Sequence, residues 1–576
     1  MTADRGKLNK LPWAVTGLLI LGVLLYAGSY CCLNLFHYSM MMDSDIAADA
    51  LVAREMWQEG TLIPGSWYSS SETRILSPSA LAALFEGLTG SLQLSMGIAC
   101  SLLLILILIL YAILMRRSGF GWTAIAAGLL LVLALPGSLR RAQLLYLFAD
   151  YYAVHTCAML ITLWIYLGET TTRPRRSVRR WTLFLIGLIL ALAMSLSGMR
   201  AALIVYAPLA ATEALLWLRD LIIRRQFPWK STARVHGAVL SVLYLAAAFL
   251  GTRSPWAVSQ GVSTNIRHGF QKMWEEVLPD LLECLGLRDG NNVLSGLTIV
   301  FCLLAIYVLI RKILLPGLSR HPEKIPASSG KCENRDREYN DDYDEDDHGE
   351  AFPAAQRQGI VLLFFWVSLA VTICSVSFLT IESVWRYYFL AWFILSWSAA
   401  MILQQRTVPV GRSDISEQNS SPAGRTAMIK EAAAGLLAAV IVVYSGLQWD
   451  ANIRSANLQN YEDSNITEIV TWMQENGYYW AYSTFETSNR FTVICDGAVQ
   501  VSAVSSLDTM GIHKWLSDAD WYVPVLPYEM KTAYIIPQSR MDEFAVQLEL
   551  HEEYELVLET ESYFLYTAPY NFTGAD

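Results

Sequence analysis

Directly after its first long apolar run the chain reads His37-Tyr38-Ser39-Met40-Met41-Met42-Asp43-Ser44-Asp45. Carboxylates at the border between membrane and water are costly to place, so a working role is the first hypothesis for this pair. Asp43 and Asp45 stand two apart on a segment that is not yet helical, and they need not project to one side. One can face the bundle and take a proton from a hydroxyl as a general base, while the other caps the helix that follows. The plainer alternative makes both of them caps that balance the helix dipole. Both are catalytic candidates and the sequence does not settle which is the base; Asp45 stands where a helix from about Ile46 to Glu59 needs its cap, which favours Asp43.

Other reactive groups gather in the neighbouring connections. Trp67-Tyr68-Ser69-Ser70-Ser71-Glu72-Thr73-Arg74 is an aromatic and polar stretch. In it Glu72, with an aspartate, offers the oxygen ligands a divalent metal ion needs, and a solvated loop carboxylate is its plainer role. Arg200, in Ser197-Gly198-Met199-Arg200, and Arg386, in Arg386-Tyr387-Tyr388, sit in short outer connections. Positive charge there runs against the usual membrane bias, so each arginine calls for a negative partner.

These side chains need a frame. Of 576 residues 54% are hydrophobic and 16% charged, and the mean hydropathy is positive. That departs from soluble usage toward a polytopic α-helical membrane protein. Runs such as Leu11 to Leu33, Leu92 to Met115 and Gly359 to Thr380 reach the ~20 residues that cross a bilayer core. With the weaker runs, the sequence predicts about eleven transmembrane helices, centred near residues 22, 104, 129, 160, 189, 209, 243, 303, 369, 396 and 438. The first is too long for a cleaved signal and lacks a small-residue cleavage site.

With the N-terminus cytoplasmic, alternate connections carry Arg116-Arg117, Arg173 to Arg180, Arg219 to Arg234, Arg311 to Lys331, and Arg406 with Arg412. All are basic, as the positive-inside rule asks. Residues 34–92, 137–151, 252–292 and everything after 448 then lie outside. The net charge of −10 is a sum of unlike parts: Glu333 to Glu350 carry −8, residues 448–576 carry −15, and the remainder carries +13. The acidic balance therefore reports a cytoplasmic linker and an outer domain, and no nucleic-acid partner is expected. The linker, 315–357, reads as disordered. Nine scattered cysteines show neither zinc spacing nor a disulfide framework.

Within the first outer loop, Ile46, Ala50, Ala53 and Trp57 form one stripe, with Asp49, Glu55 and Glu59 turned away. That pattern suits a helix lying in the membrane interface, ended by Gly60. A second helix begins at Ser77-Pro78. Residues 448–576 read as a small extracytoplasmic α/β domain. Its helices are expected at Ile466 to Asn476, Ile512 to Ser517 and Met541 to Leu550, and its strands at Trp480 to Thr484, Phe491 to Cys495, Val499 to Val504, Trp521 to Leu526, Ala533 to Ile536, Tyr554 to Leu558 and Tyr563 to Thr567. Sequons stand at Asn465 and Asn571.

Met42-Asp43-Ser44-Asp45, Trp67-Tyr68-Ser69 through Glu72, Ser197 to Arg200 and Arg386-Tyr387-Tyr388 together resemble the GT-C superfamily of integral membrane glycosyltransferases, which includes the protein O-mannosyltransferases and the aminoarabinose transferases of lipid A. The resemblance covers the whole chain in architecture: a GT-C-like membrane domain over 1–447 and an outer domain over 448–576. It implies an inverting hexosyl- or pentosyltransferase with a polyprenyl-phosphate sugar donor and an extracytoplasmic acceptor. In that family an acid at the position of Asp43 or Asp45 is the base.

A transferase whose base faces outward needs its sugar carried across the bilayer on lipid, since nucleotide sugars are made inside. The leaving lipid phosphate suits arginine, which holds it by paired hydrogen bonds. Arg200 and Arg386 come first for this, with Arg74 and Arg253 behind them; snorkelling to ordinary headgroups is their plainer role. Trp67, Tyr68, Asp150, Tyr151 and Tyr387 are the substrate-contact candidates, and His155 reads as a packed histidine. The acceptor implied is a cell-wall polymer, a glycolipid or a protein, and the location a bacterial plasma membrane. The rival readings are a transporter or flippase of a lipid-linked saccharide and a non-catalytic binding protein. A transporter should show repeated halves and mid-membrane polar groups; no repeat is visible, and the spans look poor in mid-helix charge.

Overall fold

A computed structural model describes residues 11–70, 72–73, 75–171, 178–224, 232–255, 266–311, 353–404, 422–456, 463–522 and 525–573. Helices occupy all eleven predicted positions: α1 (Leu11–Phe36), α4 (Leu92–Arg117), α5 (Trp122–Ala134), α6 (Ala153–Thr171), α7 (Val178–Ser195), α8 (Ala207–Arg224), α9 (Thr232–Gly251), α10 (Asn292–Leu309), α11 (Ala354–Phe378), α12 (Leu390–Gln404) and α13 (Pro422–Ala456). Among the described residues eight are long and apolar enough to cross a membrane. Trp122–Ala134 and Trp181–Ser195 are shorter apolar helices. The last span runs on to Ala456, past the boundary expected at 447. Most of the acidic linker lies outside the described residues, and its end already belongs to α11.

The connection between α1 and α4, expected from sequence to lie outside, holds α2 (Ser44–Glu59) and α3 (Pro78–Thr89). Gly60 closes α2 in the left-handed conformation, and Ser77 caps α3 with Pro78 in its first turn, as the sequence predicts. The expectation that α2 lies in the interface with one wet face fails. Asp49, assigned to the polar face, is fully buried, while Trp57 from the apolar stripe is 52% exposed. The cause is tertiary: α3, α4 and a helix of the C-terminal domain all pack on α2, so its short Ala and Val side chains meet protein around most of the cylinder. Close approach also sets the crossing of α1 and α4, where a Cβ at Gly97 would come within 2.1 Å of the Asn34 carbonyl.

The spans carry more buried charge than expected. Glu169, Glu213, Asp220 and Arg234 are all buried. Arg234 pairs with Glu213 at 3.5 Å and Asp220 at 3.7 Å, and His236 meets Glu169 at 3.3 Å. Helix against helix hides these charges from lipid, which hydropathy cannot see.

The C-terminal region is a five-stranded sheet in the order β3-β2-β5-β7-β6, from β2 (Trp480–Ser483), β3 (Gln500–Ala503), β5 (Thr532–Pro537), β6 (Glu555–Glu559) and β7 (Tyr563–Ala568). Strands β3, β2 and β5 are parallel, and the other pairings antiparallel. Helices α14 (Asp463–Glu475), α15 (Phe485–Ile494) and α16 (Met541–Leu550) accompany it, and Ile466, Ile469, Phe491, Val501, Ile535 and Leu565 share one core. Three local expectations were wrong. Phe491 to Cys495, read as a strand, ends a helix, because packing of Phe491 into that core overrides β-branched propensity. Residues 512–517, read as a helix, form a bridge at Ile512 and then enter the two-residue β4 (Ser517–Asp518), and a 3-10 turn at Ala519–Trp521 stands where the strand from Trp521 was expected. The sequons are closed: Asn571 is buried with its amide on Tyr482, 2.9 Å away, and Asn465 is buried beside Ser562.

Candidate active site

The acidic pair is held between two helices. Tyr38–Met41 form one 3-10 turn after α1, and the chain then extends through Met42 to start α2. The N-cap is Asp43, whose Oδ1 accepts from the Ile46 N–H at 2.8 Å, and Asp45 sits in the first turn. This reverses the reading in which Asp45 caps and Asp43 is left over as base: the extended backbone that a cap requires falls at Asp43. Although Asp43 is exposed as a residue, the protein around its carboxylate desolvates it and raises its pKa; Asp45 adds to the rise, and the Ile46 N–H and Arg386 oppose it.

One arginine, Arg386, faces this pair, and a second, Arg200, meets Glu72 further along the same loop. Arg200 Nε lies 3.1 Å from Glu72 Oε1, so the negative partner expected for Arg200 is Glu72. The pairing needs the loop to lie against the α7–α8 connection. Thr73 N–H donates to the Ser197 carbonyl at 3.2 Å, and Gly198, at φ +153, brings its backbone to where a Cβ would touch the Glu72 side chain. Burial opposes the Arg200 charge, but Glu72 and the nearby tyrosines outweigh it and hold the guanidinium firmly protonated. Arg386, on the 3-10 turn Trp385–Tyr388, interacts electrostatically with Asp43 and Asp45. That turn is anchored by Ser383, which donates to Asp280 and lies 3.0 Å from the Tyr388 hydroxyl.

Each arginine rests on a tyrosine from a single turn. Arg200 lies 5.0 Å from the Tyr152 ring centre and Arg386 5.4 Å from that of Tyr151. The turn is strained, with Phe148 at φ 54 and Asp150 at φ 47, values non-glycine residues rarely hold unless the surroundings impose them. Here Asn34 imposes them from the end of α1: its Nδ2 donates to Tyr146 O and its Oδ1 accepts from Phe148 N. Tyr38 adds a 2.7 Å hydrogen bond to the Phe148 carbonyl. Asp150, proposed from sequence as a sugar contact, is fully buried under this turn beside Cys100, and burial raises its pKa and favours the protonated acid. Asp49 acts electrostatically on Tyr38, Tyr151 and Arg200 from below.

The C-terminal domain forms a further wall. β1 (Trp67–Tyr68) pairs antiparallel with β4, Trp67 opposite Asp518. Trp67 meets Trp521 edge to face, and Ser66 donates to Asp518 at 2.7 Å. Ser44 donates to the Phe485 carbonyl. At this seam the carboxylates of Glu55, Glu59 and Asp518 come within 4.8 Å of one another, and desolvation, with Asp518 and Glu59, pushes Glu55 up to about 7. Glu72, the metal candidate from sequence, is not in that group and spends an oxygen on Arg200.

The remaining sequence candidates fall as follows. Tyr387 lies in electrostatic reach of both arginines, and His155 packs near Tyr152. Arg253 is exposed over Phe249 at 4.8 Å, and Arg74 lies outside the described residues. Sequence reasoning missed Asn34, Tyr38, Ser44 and Asp49. A lone amide in an apolar span was the one signal that could have flagged Asn34.

No protein-family model matches the sequence, and no curated protein does. Among solved structures, the fold matches ArnT from Cupriavidus metallidurans in the apo state, at a TM-score of 0.51 and 14% identity over 96% of this chain and 98% of that one. ArnT from the same organism bound to undecaprenyl phosphate matches at 0.50 and 13%, over 97% and 100%.

Proposed function

We propose that this chain, which has the GT-C fold of integral membrane glycosyltransferases, moves a sugar from a polyprenyl-phosphate donor to an acceptor outside the membrane. One observation carries the reading: two arginines, each backed by a tyrosine of one strained turn, meet acids of the first outer loop, Arg386 the pair Asp43 and Asp45 and Arg200 the Glu72 carboxylate. Cationic side chains opposite a carboxylate suit displacement of a phosphate from an anomeric carbon. ArnT, bound to undecaprenyl phosphate in one of the matching structures, supports a lipid-linked donor.

In this mechanism Asp45 is the base, since Asp43 is committed to its cap. The acceptor hydroxyl gives its proton to Asp45, its oxygen attacks the anomeric carbon, and the bond to phosphate breaks with inversion. Arg200 and Arg386 hold the phosphate that leaves, while Tyr387, Tyr151 and the Trp67–Tyr68 edge border the sugar and acceptor. Asn34, through Tyr146 and Phe148, sets the turn beneath. A divalent ion at Glu72 would have to displace Arg200, so the arginines supply the positive charge. The basic connections support a cytoplasmic N-terminus, an outward C-terminal domain and a plasma-membrane location.

The test reconstitutes the purified protein in liposomes with polyprenyl-phosphate pentoses and hexoses and with envelope fractions as acceptors. Release of polyprenyl phosphate with a new glycosidic bond, lost in Arg200→Ala and Arg386→Ala, is the expected result. Lipid-linked sugar crossing the bilayer without bond cleavage would refute it in favour of a flippase.

A further inference from the structure

The first outer loop is tied to the C-terminal domain at its start, its middle and its end. At the start, Ser44, buried between the two acids, donates to the Phe485 carbonyl. In the middle, β1 pairs with β4. At the end, Asp496 Oδ1 accepts from the backbone N–H groups of Leu92 and Gln93 at 2.7 and 3.4 Å, capping α4 from another domain. Gln93 returns its side-chain amide to the carbonyls of Val493 and Ile494 at 2.9 and 3.0 Å.

Two of these ties sit at opposite ends of α15. Phe485 is its first residue, stacked on His513 at 5.1 Å, and Asp496 follows its last turn in the left-handed conformation at φ 54. A ten-residue helix spans ~15 Å, so α15 acts as a rigid spacer between the start of α2 and the start of α4. It also packs along α2. The helices α3 and α4 hold the body of α2, while the Ser44 hydroxyl bond to Phe485 ties its first turn, which carries Asp45, to α15.

We propose that the C-terminal domain is the template on which the catalytic loop takes shape, with Ser44 the positioning residue through which α15 sets the direction of the Asp45 carboxylate. This rests on the transferase reading. Ser44 touches neither substrate nor the reacting atoms; it acts through the first turn of α2, which its hydroxyl fastens to a carbonyl that cannot move without the domain.

The test compares full-length wild type with Ser44→Ala, Ser44→Thr and Asp496→Ala. In the transfer assay Ser44→Ala lowers kcat roughly 10-fold, the loss of one well-placed hydrogen bond. Donor KM stays within about twofold and the acid limb of the kcat–pH profile shifts, as expected if the hydration of Asp45 has changed. Ser44→Thr, which keeps the hydroxyl, returns kcat to within about twofold of wild type. Asp496→Ala, which loosens the far end of α15, also lowers kcat while donor KM holds. Unchanged kcat and pH profile in Ser44→Ala, or equal losses in the alanine and threonine variants, overturn the proposal. A wild type without transferase activity would sink the transferase reading alone. The positioning claim is then read from the pH dependence of carbodiimide labelling at Asp45, followed by mass spectrometry: a midpoint that differs between wild type and Ser44→Ala supports it, and identical curves refute it.

Discussion

Asp43→Asn and Asp45→Asn separate the two acids sharply. Asparagine caps a helix as well as aspartate does, so Asp43→Asn keeps the 2.8 Å bond from the Ile46 N–H and loses chiefly the charge at the helix N-terminus. That charge is worth about 0.3–1 kcal/mol, which limits the fall in kcat to about fivefold if all of it reaches the transition state. Asp45 holds no cap, so its replacement leaves the fold alone but removes the proposed proton acceptor. General-base catalysis contributes about 10²–10⁴-fold, or roughly 3–5 kcal/mol, and kcat should fall by that much. The assay is initial-rate release of polyprenyl phosphate at saturating donor, with circular dichroism and thermal midpoint as controls. Asp43→Ala adds a check: cap loss costs about 0.5–2 kcal/mol of stability and should lower the midpoint. A dead Asp43→Asn beside a nearly normal Asp45→Asn would refute the cap argument, and full activity in both would remove the base from this loop.

Asn34→Leu strands the Tyr146 carbonyl and the Phe148 N–H, each costing about 1–3 kcal/mol. The thermal midpoint should fall and donor KM rise as Tyr151 and Tyr152 lose their footing; an unchanged KM would count against the turn as the platform for the arginines. Glu55 gives a pH prediction with a definite sign. Its folded pKa of about 7 exceeds the ordinary 4.5, so the folded seam binds the proton more tightly. Stability is then greatest below about 4.5 and declines until the pH passes about 7. Screening at its half-exposed position brings the penalty at pH 8 to about 2 kcal/mol. Glu55→Gln should remove that slope, read as hydrogen exchange at Ser517 and Asp518 at pH 5.5 and 8; an unaltered slope would exclude Glu55 as its source. Dialysis against EDTA should leave transfer intact, and Glu72→Gln should weaken donor binding about 3- to 10-fold through the loss of the Arg200 pair. Activity that needs an added divalent ion would reverse the Glu72 assignment.

The parts legible in the sequence are those with a local cause. Eleven apolar runs became helices because length and hydropathy decide that without help from distant residues. Gly60 and Ser77-Pro78 declared helix ends by their own backbone preferences. Arg200 declared its need for a negative partner by standing in a short connection between two apolar helices, although the choice of Glu72 depends on Gly198 letting two segments touch. The cap was misplaced by two residues because aspartate suits both sites equally, and the deciding backbone angles come from the 3-10 turn before it. Asp49 was misread for a different reason. A helical wheel assumes one wet side, and α2 has protein on several. The grip of Phe485 on Ser44 joins residues 441 positions apart and leaves no trace in spacing or periodicity.

That separation has a consequence for how the molecule is made. Residues 43–93, which carry Asp43 and Asp45, emerge from the ribosome long before the segments that brace them, 485–518, which follow the last candidate span. The loop can be inserted early but cannot be finished until the C-terminal domain has been made and folds against it. A chain built this way leaves the loop unbraced through its own assembly, and one cut short after its last span would carry every residue of the acid and arginine cluster yet lack the brace that orders it.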